Sequence, residues 1–254
     1  MTLDPARLLW CALADVPVAF PPSGVTVVVS PSSQLCPPGW CGVVTLGPSA
    51  IATVPTAALK PVVEAALADL PTTGMTDAHQ VRAALPARSF LGPAALAYLD
   101  PADFTPPSAP ASVAPASVAP ASVAPASGPA AGPVASVVPV SGVADLVASV
   151  SADDAGESGL DEITSPAFVL AQDGRVVAAA GYRRWPTGVA HLSVLTAPSQ
   201  RGRGMAHAVA GHAVADALSN GLFPQWRARP LASRRVARAL GFHELGAQLS
   251  FEVS

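Results

Sequence analysis

An α/β fold, a mixed central sheet with helices on both faces, is predicted by three features of this 254-residue sequence. In its second half, runs of strand type alternate with helical spacing, the order that lays helices over a sheet. Asp173-Gly174 separates two apolar runs as a tight hairpin turn does. A further run, Val189 to Thr196, leads through two glycines into a helix that begins at Met205. A smaller α/β segment precedes this half.

Residues 1–105 form that first segment. Val25–Val29 is a short apolar run bounded by Pro, Gly and Ser, as a strand requires, and Val43–Leu46 and Ile51–Val54 read likewise. Thr56–Leu70 has helical spacing through Leu59, Val62, Val63, Ala66, Leu67 and Leu70, with Pro61 tolerated in the first turn. Thr76–Leu85 is a second helix, N-capped by Thr76 or Asp77, and Phe90–Leu99 reads as a third. His79 reads as a surface helix residue, and no catalytic constellation is found in the segment.

Residues 106–141 read as a Pro/Ala/Ser-rich disordered linker. Ala111–Pro125 is three copies of Ala-Ser-Val-Ala-Pro, and proline every five residues excludes a continuous helix. The expectation is an extended spacer, partly polyproline II.

Residues 142–254 form the second segment. A short helix through Asp145, Leu146 and Val150 is followed by an acidic stretch from Asp153 to Glu162. Ala167–Ala171 and Val176–Tyr182 are the hairpin strands, and Val189–Thr196 is the next strand. The helix from Met205 carries Val209, Ala210, Ala213, Val214, Ala217 and Leu218 at three- and four-residue spacings until Asn220-Gly221 stops it. Gln225–Ala228 then reads as a strand, Ala232–Leu240 as a helix and Gly246–Val253 as the last strand.

Composition narrows the function classes. No run approaches the roughly 20 apolar residues of a membrane-spanning helix. The N-terminus carries Asp4 and no basic stretch ahead of an apolar one, so a cytoplasmic protein without a membrane partner is expected. Cys11, Cys36 and Cys41 are odd in number, and Cys36-Pro37-Pro38-Gly39-Trp40-Cys41 lacks a second Cys/His pair. Reduced structural thiols and no metal are expected.

The most informative stretch runs from Val194 through Arg201-Gly202-Arg203-Gly204 to Ala206. The first N–H groups of a helix lack intrahelical partners and carry the positive end of its dipole, so this terminus accepts a phosphate. Glycines at 202 and 204 let the backbone turn tightly and approach a bulky anion. From 201 to 238 the arginines are Arg201, Arg203, Arg227, Arg229, Arg234, Arg235 and Arg238, against one carboxylate, Asp216. An anionic ligand follows. No Gly-Lys-Ser/Thr completes a Walker-type loop, and the three-glycine dinucleotide fingerprint is absent.

Arg201-Gly202-Arg203-Gly204-Met205-Ala206 resembles the Arg/Gln-x-x-Gly-x-Gly/Ala turn of the GNAT superfamily of acetyl-CoA-dependent N-acetyltransferases. Trp226-Arg227-Ala228, Ala232 to Ala237 and Leu240-Gly241-Phe242 follow in that family's order, so the resemblance covers roughly Val143 to Val253. It implies a GNAT-like sheet, acetyl-CoA as co-substrate and a primary amine, small molecule or peptide, as acceptor. It also implies that the strand His191–Leu195 separates from its neighbour to hold the pantetheine and acetyl group. Cofactor contacts are then expected from Leu192, Val194, Leu195, Arg201, Gly202, Arg203, Gly204, Met205 and Ala206. The Ala-Leu-Ala-Tyr-Leu end of the first segment is similar to N-terminal halves of some bacterial members, which makes a degenerate second GNAT-like unit or a substrate-side lobe an expectation there.

Transfer of an acetyl group to an amine needs a neutral amine, a polarised carbonyl and a protonated or solvated leaving thiolate. The family's tyrosine proton donor is replaced by Ala237, and its asparagine before the last helix by Pro230. Ser233 stands either as a cofactor contact and proton donor through water or as a helix cap. For the base, the acidic stretch and the central strand offer Glu162, Glu157 and His191, of which Glu162 and His191 are the expected catalytic residues. Glu162 stands either as a general base or as a solvated loop carboxylate, and His191 as a base or a hydrogen-bonded core residue. Tyr182 and Trp185 are expected to line the acceptor pocket and Trp226 to lie in the core. The acidic stretch favours a cationic amine. Two other classes stand beside the enzyme: a non-catalytic acyl-CoA-binding or sensing module, from the missing Tyr and Asn, and nucleic-acid binding through the arginines, disfavoured because aromatics are not interleaved with them.

Overall fold

The computed structural model describes residues 3–107, 114–116 and 141–253. The N-terminal helix α1 (Asp4–Leu13) is followed by strands β1 (Gly24–Val29), β2 (Cys41–Leu46) and β3 (Ser49–Val54). Helices α2 (Lys60–Ala68) and α3 (Ala78–Ala84) lead to the long strand β4 (Ala87–Tyr98). After β5 (Ala114–Ala116) come α4 (Ser141–Ala148), α5 (Ala152–Ser158) and strands β6 (Ala167–Gln172), β7 (Arg175–Trp185) and β8 (Val189–Thr196). The chain closes with α6 (Met205–Ser219), β9 (Phe223–Ala228), α7 (Leu231–Ala239) and β10 (His243–Val253). Most of the proline-rich repeat, and so most of the expected linker, lies outside the described residues. Its Ala114–Ala116 pairs antiparallel with the edge of β6.

Local chemistry accounts for most of these elements. Asp77 caps α3, its side chain accepting from the N–H groups of His79 and Gln80. The Asp173-Gly174 turn has both residues at positive φ, 49° and 73°, as a two-residue hairpin turn requires. Helix α5 forms inside the acidic stretch because Ser151 caps it, Asp153 and Asp154 sit in its first turn, and Gly159 ends it in the left-handed conformation.

Two elements depart from expectation. Helix α1 was not anticipated, although Ala6, Leu9, Trp10 and Leu13 have helical spacing and form its buried face. Phe90–Leu99, expected as a helix, is the greater part of β4. Its C-terminal part is buried on both faces, so it reads as a continuous apolar run with no alternation to mark a strand. The Gly92-Pro93 pair interrupts the ladder with β10, where register jumps from Ala94 opposite Gln248 to Leu91 opposite Ser250.

The ten strands make one mixed sheet in the order β1-β3-β2-β10-β4-β9-β8-β7-β6-β5. The first segment is therefore not a separate layer ahead of the second. The last strand, β10, is hydrogen-bonded to β2 on one side and β4 on the other, and β4 in turn pairs with β9. The close approach of β2 explains a glycine: a Cβ at Gly246 would lie 1.7 Å from the Thr45 carbonyl oxygen. Four apolar clusters cover the two faces. One joins α6 and α7 to β6–β9, and another places Leu146 of α4 on Val169, Ala179 and Leu195. A third joins α2 and α3 to β1–β3, and the fourth joins α1 to Leu46, Leu96 and Tyr98 with Trp185 and Phe223 against it. The Trp10 indole N–H donates to the Tyr98 hydroxyl at 2.6 Å, tying α1 to the centre of the sheet.

Candidate functional site

The parallel pairing of β8 with β9 lasts only from Val189 opposite Phe223 to His191 opposite Gln225. Beyond it the strands part. Residues 192–196 stay paired with β7, and 226–228 with β4, leaving the facing edges of β8 and β9 without each other. A cavity of about 430 Å³ fills the wedge, reaching the N-terminus of α6 at one end and α7 at the other.

The turn into α6 is built as the sequence requires. Gly202 and Gly204 have φ of 76° and 77°, and Gly204 is the residue that caps α6. A Cβ at either would meet no protein atom within 4 Å, so these glycines serve the backbone conformation and leave space in front of the helix. Two buried polar atoms beside that space, Thr196 Oγ1 and Gln200 Oε1, have no partner in the protein, and both residues line the cavity. They are available to a ligand.

Eight of the nine expected cofactor-contact residues line this cavity: Leu192, Val194, Leu195, Arg201, Gly202, Gly204, Met205 and Ala206. Arg203 is exposed and outside its lining. The arginine excess is smaller than the sequence window implies, because carboxylates from elsewhere reach it. Arg201 pairs with Asp154 at 2.9 Å, Arg229 with Glu157 at 2.5 Å and Arg234 with Glu244 at 2.6 Å, with Arg238 on the same Glu244 at 3.8 Å. Among the described residues, Arg203, Arg227 and Arg235 have no carboxylate partner, and Arg227 and Arg235 line the cavity.

A second cavity of about 200 Å³ adjoins the first, sharing Glu157, Leu192 and Arg227 with it. It opens where the β4–β10 ladder is interrupted, with Gly92 from the first segment on one wall and Gln248 and Ser250 on another. His191 faces this cavity. Its Nδ1 lies 2.5 Å from Gln225 Oε1, and its ring stacks on Trp185 at 4.0 Å. Removal from water, then the nearby Arg227 guanidinium, lower its pKa to about 3, against a smaller opposing effect of the Gln225 hydrogen bond. His191 is therefore neutral at pH 7 and a weak base.

That shift carries a prediction. A histidine held neutral in the fold binds its proton more readily when unfolded, so stability is present above the unfolded pKa of about 6.5 and lost as pH falls toward about 3. One proton sets a limiting slope of about 1.4 kcal/mol per pH unit, reduced here because the ring is partly exposed. Denaturant titrations from pH 7 to 4 should show wild type losing stability faster than His191→Gln. Parallel losses would remove His191 as the cause.

The structure does not bring Glu162 to either cavity. After Gly159 the chain makes a short turn over Leu160–Glu162 that buries Leu160, leaving Asp161 and Glu162 outward. The Glu162 side chain, 60% exposed, pairs with Arg183 at 2.5 Å. Glu157, not among the expected catalytic residues, lies instead at the junction of the two cavities. It accepts from the Arg229 backbone N–H at 3.0 Å and from Arg229 Nε at 2.6 Å. Its signal in the sequence was the acidic stretch itself, which does not say which carboxylate a short helix turns inward.

Ser233 lines the first cavity and is not a cap: its Oγ accepts from the Trp226 indole N–H at 3.0 Å. Trp226 is 3% exposed, as a core residue, and also lines that cavity. Tyr182 and Trp185 line neither cavity. Tyr182 is buried, its hydroxyl donating to Asp216 Oδ2 at 2.7 Å, and burial with that carboxylate pushes its pKa up to about 12. Trp185 backs His191 from the side. Within the acidic stretch Asp154, Glu157 and Glu162 are each paired with an arginine, and Asp153 and Asp161 are exposed. Among the described residues no three His, Cys, Asp or Glu gather as a metal site, and no helix is long and apolar enough to cross a membrane.

A parted parallel strand pair beside a helix N-terminus gives this α/β protein an open groove at that end of the sheet. Residues 165–247 match the GNAT acetyltransferase family. The match covers about a third of the chain. No curated protein matches the chain. Among solved structures, a GCN5-related N-acetyltransferase from Kribbella flavida is similar at 19% identity, covering 70% of this chain and 63% of that one, with a TM-score of 0.47. A GNAT-family acetyltransferase from Colwellia psychrerythraea is similar at 15% identity, covering 66% and 59%, with a TM-score of 0.44. This chain thus spans about three fifths of the length of each.

Proposed function

We propose that the protein transfers an acetyl group from acetyl-CoA directly to a primary amine. The observation that carries this is the junction of the two cavities at Glu157, Leu192 and Arg227, which opens a groove running from a phosphate-binding helix terminus onto a separate polar pocket. The residues present suit acetyl-CoA. The α6 N-terminus with Arg235 nearby would hold its phosphates, and the free β8 edge would hold the pantetheine arm.

Acetyl-CoA supplies an acyl group activated as a thioester. The chain supplies the rest. Glu157 takes the proton that the amine loses as its nitrogen lone pair attacks the carbonyl carbon. Free backbone groups of Leu192–Leu195 polarise that carbonyl. As the carbon–sulfur bond breaks, the departing thiolate accepts a hydrogen bond from the Ser233 hydroxyl, whose oxygen is oriented by the Trp226 indole, and takes its proton from water in the cavity, while Glu157 returns the proton it took to solvent. The pKa of His191, about 3, makes it a hydrogen-bonding wall of the pocket and not the base.

The test is acetyl-CoA-dependent acetylation by the full chain over a panel of primary amines, followed by release of free thiol. A protein that binds acetyl-CoA yet acetylates none of them supports the alternative, a non-catalytic acyl-CoA-binding or sensing module.

A further inference from the structure

The smaller cavity defines its occupant through charge. Its ionisable groups are Glu157, Arg227 and Arg229, beside a neutral His191. Glu157 and Arg229 are paired to each other, which leaves the Arg227 guanidinium as the uncompensated charge among the described residues. Arg227 is an exposed residue whose guanidinium is oriented from one side. Arg227 Nη1 donates to Gln248 Oε1 at 3.3 Å, and Gln248 Nε2 donates to the Leu35 carbonyl at 2.6 Å. Leu35 and Gln248 are both buried, so a cation is held at the pocket wall by a short relay from the interior.

A pocket with an excess positive charge repels a simple ammonium ion, and more strongly a diamine. It accepts an amine that brings its own anion. We infer that the acceptor is a small amino acid, its amine lying at Glu157 and its carboxylate on Arg227. The planar guanidinium fork matches the two carboxylate oxygens, and such charge-assisted pairs are the stronger hydrogen bonds. A cavity of about 200 Å³, less than half the size of the groove beside it, suits one amino acid and not a folded protein's lysine with its surroundings. This inference rests on the acetyl-transfer reading and names its substrate class.

The experiment compares free amino acids with their own carboxamides, at matched amine concentration, in acetyl-CoA-dependent acetylation by the full chain. The acid should be preferred about tenfold or more in kcat/KM, a difference worth about 1.4 kcal/mol. Arg227→Gln should raise KM for the acid about tenfold and change that for the amide about twofold or less, because only the acid loses a charged partner. Calorimetric titration of acetyl-CoA into the same variant establishes that fold and groove are intact. Equal use of acid and amide by wild type, or an equal loss of both in a variant that still binds acetyl-CoA, overturns the inference and leaves acetyl transfer standing. Failure to bind acetyl-CoA or to acetylate any amine overturns both.

Discussion

Residues 141–254 expressed alone should not unfold cooperatively, even though they contain the whole family match. Removing the first segment takes β4 from between β9 and β10, so among the described residues the last strand loses its link to the remaining sheet. It also strips Phe223 of the Tyr98 ring stacked on it at 5.6 Å and Trp185 of Trp10 at 6.1 Å. Burial of one large apolar side chain contributes roughly 1.5–3 kcal/mol, and a whole domain is stable by only about 5–15 kcal/mol. Losing Trp10, Leu96 and Tyr98 together is enough to unfold the remainder. Thermal unfolding followed by circular dichroism checks this. Co-expression with residues 1–107 should restore a cooperative transition, since that piece carries all of β4 for its ladders with β9 and β10. A sharp transition in the fragment alone would contradict the interleaved sheet.

Glu157→Gln should lower kcat by a factor of about 10²–10⁴, the usual contribution of a positioned general base. The amide oxygen still accepts from the Arg229 N–H, so the loss is of proton uptake more than of position. Acetyl-CoA affinity should change little, because the phosphates are proposed to sit at the α6 terminus and not at Glu157. Glu162→Gln, on the outer surface with Arg183, should leave kcat within about twofold, as surface changes away from a site do. Steady-state rates measured across pH separate the two variants. A kcat unchanged in Glu157→Gln and reduced in Glu162→Gln would reverse the assignment.

Much of the fold was legible because its signals are local. The Asp173-Gly174 turn, the Asp77 cap and the spacing from Val209 to Leu218 each act within a few residues, and the corresponding elements stand at or near the expected positions. The glycine turn was legible for the same reason. What the sequence withheld is long-range. Nothing local in Phe90–Leu99 distinguishes a doubly buried strand from a buried helix, and only the insertion of β4 between β9 and β10 decides it. The second cavity depends on that insertion, so Gly92, Gln248 and Ser250, far apart in sequence, carried no joint signal. The choice of Glu157 over Glu162 turns on a helix of seven residues ending at Gly159, which sets one carboxylate facing the cavities and the other outward. The arginine excess between 201 and 238 is larger in sequence than in space because Asp154, Glu157 and Glu244 reach it from outside that stretch.

The central claim is that the groove between β8 and β9 holds acetyl-CoA with its phosphates at the start of α6. Calorimetric titration of acetyl-CoA into wild type, Gly204→Ala and Gly204→Glu tests it most directly. At φ of 77° either side chain strains the turn by roughly 1–2 kcal/mol, so both variants share that cost. Only the glutamate sets a carboxylate in the anion's place, and repulsion there should weaken binding about a hundredfold or more. Wild type should bind at one site, Gly204→Ala with near-normal affinity, and Gly204→Glu should lose binding. Equal affinity in Gly204→Glu and wild type, or no binding by folded wild type, would contradict it.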